Sequence, residues 1–484
     1  MSSNLRATLG RLCLCLLAMS SLVLAQEAVS PPMRLEAAVE AALRNYPSIR
    51  AEQAQAAAAG TGTEFARNAY LPRVEIDWQQ TRGTRNNVFG QFFPQTAIPP
   101  ISGPLIADSS FAESAWGSGG GLLVAWEPFD FGLRKAGVSL AERVAGEAQA
   151  RVAVTRLDVA AAAADAFLTV LAMEQAVRAA QANVERMEAF SKSVHVLVDN
   201  ELRPGADASR TDVELAAARS VWIQAKEKAA LARAALAEAI GQAGQAMTLD
   251  AGPLLDSAGP AASAGEAAPA SEPHPLISLR KASLEIVFAR QRVLDRSFFP
   301  KFQWQTAVFG RGSGARTDGR LLGGRGFFPD TPNWGTGLTI SFAPTDLFHL
   351  RARRREESHR LAAEQARYDQ TVQQLKAEAD RARAIGDAAR ELAGNTPRQL
   401  QAARETELRV RKRYEAELGT VIEVADAQRL LAQAEVADAL ARLGVWRARL
   451  LDARARGDLT PFLDLLRNAT SDPNRSGRSG NGQD

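Results

Sequence analysis

The side chains best placed to do chemistry in this chain are two carboxylates, Glu423 and Asp426, in the run Val421-Ile422-Glu423-Val424-Ala425-Asp426-Ala427-Gln428. Three-residue spacing puts both on one helix face. In a symmetric oligomer, copies of the pair would surround the axis as a ring of like charges. Such a ring attracts cations and resists full ionisation. The plainer alternative is a solvated helix start, where acids favour the positive end of the helix dipole.

No other constellation carries catalytic or metal chemistry. Gly310-Arg311-Gly312-Ser313-Gly314-Ala315 fits a dinucleotide-binding pattern and follows a strand-like run. That pattern needs a helix starting on it, and the chain continues instead into Arg316-Thr317-Asp318-Gly319, which is turn chemistry. His195, His274, His349 and His359 stand at spacings that build no metal site. Both cysteines, Cys13 and Cys15, fall within the first 25 residues. Disulfides, thiolate metal sites and a cysteine nucleophile are thereby excluded from the remainder. The expectation is a protein with no catalytic residue, no metal and no cofactor.

The elements that position Glu423 and Asp426 come from a duplicated plan. Tyr46-Pro47, a helical stretch and Leu71-Pro72 lead into Val74-Glu75-Ile76-Asp77-Trp78; His274-Pro275, a helical stretch and Phe299-Pro300 lead into Phe302-Gln303-Trp304-Gln305. Pro275 and Pro300 each follow their counterpart by 228 positions, so the segments align without a gap. Internal repetition of this length decides the architecture before any motif does.

The ends and the composition bound the class. Residues 1–25 read as a signal peptide, with Arg6 and Arg11 ahead of an apolar run from Leu12 to Leu24 and small residues at Val23-Leu24-Ala25. Neither cysteine follows the apolar run, so a lipid anchor is not expected. Net charge is +3, and without Arg6 and Arg11 it is +1; nucleic acid is not an implied partner. Arg351 to Arg355 form a local basic cluster followed at once by Glu356 and Glu357. A solvated helix face and a contact with phosphate headgroups both fit that cluster. No later stretch is apolar enough for a membrane helix, so any membrane role falls to strands.

The first structural repeat is expected over 26–243, with strands at about 73–82 and 118–130, a long helix over 132–199 and a return helix over 207–241. A linker rich in Ala, Gly, Pro and Ser covers 244–272. The second repeat, 273–467, has strands at about 301–309 and 334–343, a long helix over 347–418 and a return helix over 421–456; a disordered tail covers 468–484. The long helices are rich in Ala, Glu, Arg, Leu and Gln. Each would span on the order of 100 Å at about 1.5 Å per residue.

Alternation in the strands carries the membrane argument. Val74, Ile76 and Trp78 oppose Arg73, Glu75, Asp77 and Gln79; Trp334, Leu338, Ile340 and Phe342 oppose Gly335, Gly337, Thr339 and Ser341. From Trp334 to Phe342 is about 26 Å at about 3.3 Å per step, the height of an outer-membrane apolar band. A soluble sheet with one wet face alternates in the same way. Four strands cannot close a barrel, and open edges are not tolerated in hydrocarbon; membrane strands here require a barrel shared between chains. The fold class is therefore mainly α with membrane β, four strands per chain feeding a shared barrel that continues into long helices.

On Tyr46-Pro47, Leu71-Pro72, the duplicated order, Thr211-Asp212-Val213 and Tyr414 followed by Val424-Ala425-Asp426-Ala427, the chain resembles the TolC-type outer-membrane efflux proteins. The resemblance spans nearly everything after residue 25. It implies a homotrimer with a twelve-stranded outer-membrane barrel running into a long periplasmic helical barrel. It further implies a passive exit duct in contact with outer-membrane lipid, docked to an inner-membrane pump through a periplasmic adaptor (membrane fusion) protein. Family members narrow the periplasmic end with a D-x-x-D-A pattern, which reads Glu423-Val424-Ala425-Asp426-Ala427 here. Their interprotomer latch matches Asp212 and Tyr414, while its arginine aligns with Gly419. Adaptor contact is then expected at the periplasmic turns, at Leu202, Pro204 and Gly205 and at Leu418, Gly419 and Thr420. A non-transporting periplasmic coiled-coil scaffold or surface protein is the alternative; lipid contact by the strands separates the two.

Overall fold

The computed structural model describes residues 32–84, 111–245, 247–255, 273–316 and 320–471. The expected signal peptide, residues 256–272 of the expected linker and the tail from 472 lie outside the described residues. The chain divides into a strand-bearing unit (residues 50–154 and 275–374) and a helical unit (residues 1–49, 155–274 and 375–484).

In the strand-bearing unit, α2 (Pro47–Asn68, entered from the helical unit) leads into β1 (Arg73–Thr84) and β2 (Ser114–Trp126), and α5 (Pro275–Ser297) into β3 (Lys301–Ser313) and β4 (Thr331–Ser341). The four strands form one antiparallel sheet in the order β1-β2-β3-β4. Cross-strand register settles the faces. Ile76, Leu122, Val308 and Trp334 lie in one row, and Trp126, Trp304 and Leu338 in another. These side chains are exposed, Ile76 at 83% and Trp334 at 77%. The opposite face carries rows such as Asp77, Gly121, Phe309 and Asn333, with Leu123, Ala307 and Phe309 buried together. One face carries an exposed apolar band and the other carries polar residues and glycines around a small buried apolar cluster, the contrast a lipid-facing sheet requires.

β2 begins and ends four residues earlier than the sequence suggests. The glycine-rich run Gly117 to Gly121 pairs throughout. The Trp78 ring lies over Gly120, and a Cβ on Gly121 would come 2.5 Å from the Phe309 Cβ. Pro128 and Asp130 stop the strand. Asp130 accepts from the Gly132 and Arg134 amides (3.1 and 2.6 Å) and caps α3 (Leu133–Asp199). Arg134 closes this corner, bonded to Asp130, to the Glu127 and Ala69 carbonyls, and stacked on Tyr70. β3 also runs on to Ser313, four residues past the expected end, and β4 runs two residues short of its expected end.

The helical unit holds α1 (Leu35–Asn45), α4 (Gly205–Ala239), α7 (Val421–Arg456) and α8 (Thr460–Ser471); α3 and α6 (Asp346–Glu415) contribute residues to both units. Pro397 sits inside α6, where Thr396 donates to Asp438 of α7 at 3.0 Å. The largest core joins α1, residues 159–172 of α3, the end of α4, the end of α7 and α8, with Phe167 and Trp446 fully buried. Two expectations are corrected here. Residues 247–255 are packed rather than loose: the Met33 amide donates to Thr248 O at 2.8 Å, Arg34 pairs with Asp250 at 2.7 Å, and Leu254 is buried. The tail is helical to Ser471, because Phe462 and Leu466 dock on the core.

Candidate functional site

α3 and α6 both end in the same backbone device. Glu201 (φ 59°) and Glu417 (φ 64°) adopt the left-handed conformation. Leu202 N donates to Leu197 O and Glu201 N to Val198 O, both at 2.9 Å. Leu418 N donates to Arg413 O at 2.8 Å and Glu417 N to Tyr414 O at 3.0 Å. This is the Schellman pattern at both places, with glutamate where glycine is usual. Glu417 follows Glu201 by 216 positions. The left-handed residue stops α6 at Glu415, three residues before the expected end. Each turn presents an exposed leucine, Leu202 at 61% and Leu418 at 70%. Pro204 and Gly205, with φ fixed by the proline, then open α4.

Thr420 starts α7 by accepting the Glu423 amide at 3.3 Å. Thr420 and Glu423 hold capping-box positions, so Glu423 does belong to the helix start. Its carboxylate also stands 3.9 Å from Arg413, and a Cβ on Gly419 would lie 3.3 Å from its Oε2. Asp426, one turn on, is bonded to Arg429 at 2.6 Å. Glu423 and Asp426 are thus brought to one exposed helix face, as their spacing suggests. Each has an arginine beside it that the sequence reading passed over. Arg429, three residues after Asp426, was visible as an i,i+3 pair; Arg413 required the turn.

Asp212 and Tyr414 are not joined within the chain. Asp212 is exposed on α4 and accepts from Ser191 (3.2 Å) and pairs with His195 (3.0 Å), both on α3. The hydrogen bond to His195 is the main cause that lowers its pKa below the usual carboxylate value. Tyr414 is buried with Val184, Met187, Phe190, Val194, Val421 and Val424. Burial raises its pKa, against the nearby Arg203. The Arg203 guanidinium lies 4.8 Å from the Tyr414 ring centre and donates to the Tyr414 carbonyl at 3.3 Å, tying the first turn to the end of α6. Among the described residues no group of three or more His, Asp or Glu side chains could hold a metal ion, and no helix is long and apolar enough to cross a membrane. Gly310 to Ser313 lie in β3, and Ala315 bridges Leu321 rather than opening a helix.

An open four-stranded sheet with an apolar outer face, in a chain with two helices of 67 and 70 residues that return at matched turns, defines an outer-membrane channel subunit. The family model described as outer membrane efflux protein matches residues 38–242 and 270–450. The chain belongs to that family, whose members are homotrimeric outer-membrane efflux channels. It is an outer-membrane protein that extends into the periplasm, and it is not an enzyme. Its fold is similar to that of the outer-membrane channel OprN (TM-score 0.66, 22% identity, covering 87% of this chain and 89% of that one). It is similar also to CusC (TM-score 0.71, 14% identity, 88% and 92%) and to the Neisseria gonorrhoeae MtrE outer membrane channel in its open state (TM-score 0.66, 19% identity, 88% and 89%). No curated protein sequence matches the chain.

Proposed function

We propose that three copies of this chain close a passive export duct that works with a periplasmic adaptor and an energised inner-membrane pump. The observation that carries this reading is the sheet. Among the described residues the sheet ends at β1 and β4, and open sheet edges are not tolerated in hydrocarbon beside so exposed an apolar face. Pairing β4 of one copy with β1 of the next satisfies both edges. Extraction from outer membranes should yield a heat-modifiable trimer that conducts ions in planar bilayers. A monomer that carbonate or urea strips from the membrane would overturn the reading.

In this duct the turns face the periplasm and Leu202, Pro204, Gly205, Leu418, Gly419 and Thr420 meet the adaptor, the two leucines giving each turn an apolar contact. Glu423 and Asp426 ring the axis as the gate. Asp212 serves as the outward half of an interprotomer latch. Tyr414, held between Phe190 and Arg203, positions the first turn for the other half.

A further inference from the structure

The loop from β3 to β4 packs on the sheet through its second half. Its segment 326–329 lies on the apolar face, where Gly310 and Gly312 would otherwise leave bare backbone toward lipid. A Cβ on Gly312 would fall 2.3 Å from the Phe328 carbonyl oxygen, and one on Gly326 (φ 87°) would fall 2.3 Å from that of Trp116. Backbone bonds fix the chain on either side of this strap: Gly314 N to Trp116 O at 2.7 Å, Leu322 N to Gly314 O at 2.7 Å and Asp330 N to Arg311 O at 3.0 Å. Gln80 adds a side-chain bond to the Phe327 carbonyl at 3.1 Å.

The surface so made is aromatic and cationic. Phe327 meets Trp116 edge-on at 5.1 Å, and Phe328, 67% exposed, lies 6.4 Å from Trp78. Arg82 stands over the Trp116 ring at 5.2 Å and uses its Nε on Ser114 Oγ at 3.0 Å. Its terminal nitrogens have no hydrogen-bond partner among the described residues. Arg325 is exposed on the strap itself. Residues 311–330 carry four arginines against two aspartates. Along β1 the outward side chains change from Val74, Ile76 and Trp78 to Gln80 and Arg82, so the arginine stands just beyond the apolar band, on the side away from the helices.

We propose that this strap and the far end of β1 bind a phosphorylated glycolipid of the outer leaflet. Its acyl chains lie against Trp78 and Phe328, and a phosphate meets Arg82 and Arg325. Aromatic rings favour the interfacial level of a bilayer, and guanidinium binds phosphate through paired charge-assisted hydrogen bonds. A glycolipid without phosphate would use the rings and leave the Arg82 and Arg325 guanidinium groups without an anion. The inference rests on the orientation given above, with the helical turns in the periplasm.

Orientation is tested separately by labelling Gly324→Cys in intact cells with a membrane-impermeant maleimide; the site is open around this glycine. No labelling would overturn both the orientation and the inference. Binding is then read by native mass spectrometry of the detergent-solubilised channel with bis-phosphorylated lipid A, dephosphorylated lipid A, phosphatidylglycerol and inorganic pyrophosphate. The wild-type channel should retain bis-phosphorylated lipid A, and Arg82→Gln/Arg325→Gln should weaken it roughly tenfold or more. Dephosphorylated lipid A should bind both channels at the weaker level, and Phe328→Ala should weaken every lipid. Each variant is compared as an intact oligomer of unchanged conductance. Equal retention by the wild-type channel and the double variant, or displacement by pyrophosphate or phosphatidylglycerol at equal concentration, would overturn the inference.

Discussion

Removing Asp426 alone separates a gate from a helix cap. Glu423 cannot separate them, because its amide is bonded to Thr420 in the cap and its carboxylate stands near Arg413. Asp426 takes no part in the cap, and its partner is Arg429. Three copies would bring six carboxylates and six arginines to one passage. The Asp426–Arg429 pair is half exposed, with side-chain accessibilities of 49% and 63%, so the arginine screens the carboxylate without consuming it. Exposed charge pairs of this kind are worth about 0.5 kcal/mol each. Three aspartates acting together on one divalent cation therefore contribute about 1.5 kcal/mol, or roughly tenfold in blocking concentration. Asp426→Asn should raise that concentration about tenfold from the periplasmic side, and Glu423→Gln/Asp426→Asn should raise it about a hundredfold. Both variants should conduct better than the wild-type channel and favour anions, since Arg413 and Arg429 remain. Single-channel recording with a divalent or trivalent blocker, on oligomers checked by gel, measures this. If Asp426→Asn leaves the block unchanged in an intact trimer, the gate assignment fails.

Three further outcomes are expected. Leu338→Arg, on the exposed apolar face of β4, should cost about 2–4 kcal/mol in a folding titration into lipid, and Thr339→Arg on the opposite face much less; equal costs would contradict a lipid-facing sheet. Leu202→Cys and Leu418→Cys should cross-link to the adaptor in cells, where capture only through residues 256–272 would contradict docking at the turns. The hydrogen bonds to Arg134 and Gly132 outweigh burial and hold the Asp130 pKa below its usual value. Its stabilisation is then full above the ordinary carboxylate range and lost as pH falls through the depressed value. Asp130→Asn should lower stability by about 1–2 kcal/mol at neutral pH, and the gap should close in strong acid. A gap independent of pH in thermal unfolding would refute this account.

What the sequence made legible was local. The proline offsets announced the repeat, alternation announced the sheet faces, and three-residue spacing announced the Glu423–Asp426 face. Contacts distant along the chain stayed hidden. Nothing local to the glycines of β2 shows that Trp78 covers Gly120 and Phe309 covers Gly121. Residues 247–255 look like linker until Met33 and Arg34 bind them. Arg413 approaches Glu423 only because Glu417 turns the chain left-handed. The strap over Gly310 and Gly312 has no periodic signal at all, since backbone holds it.

The two repeats also differ in a way that bears on the duct. Their first strands stand 228 positions apart, yet Pro344 follows Pro128, Asp346 follows Asp130 and Glu417 follows Glu201 by 216. The 12-residue difference falls between the strands: 29 residues separate β1 from β2, and 17 separate β3 from β4. From the proline after the second strand to the left-handed glutamate, the repeats keep the same length. A helix gains about 1.5 Å per residue, so an insertion in one long helix would carry its turn past the other, and a ring closed by both turns would break. Loops at the far end of the strands bear no such constraint and are free to diverge. In one repeat the loop has become the strap. Equal spans from corner to turn and unequal loops are what a duct gated at its helical end requires, and a scaffold held by its strands would have no reason to keep them.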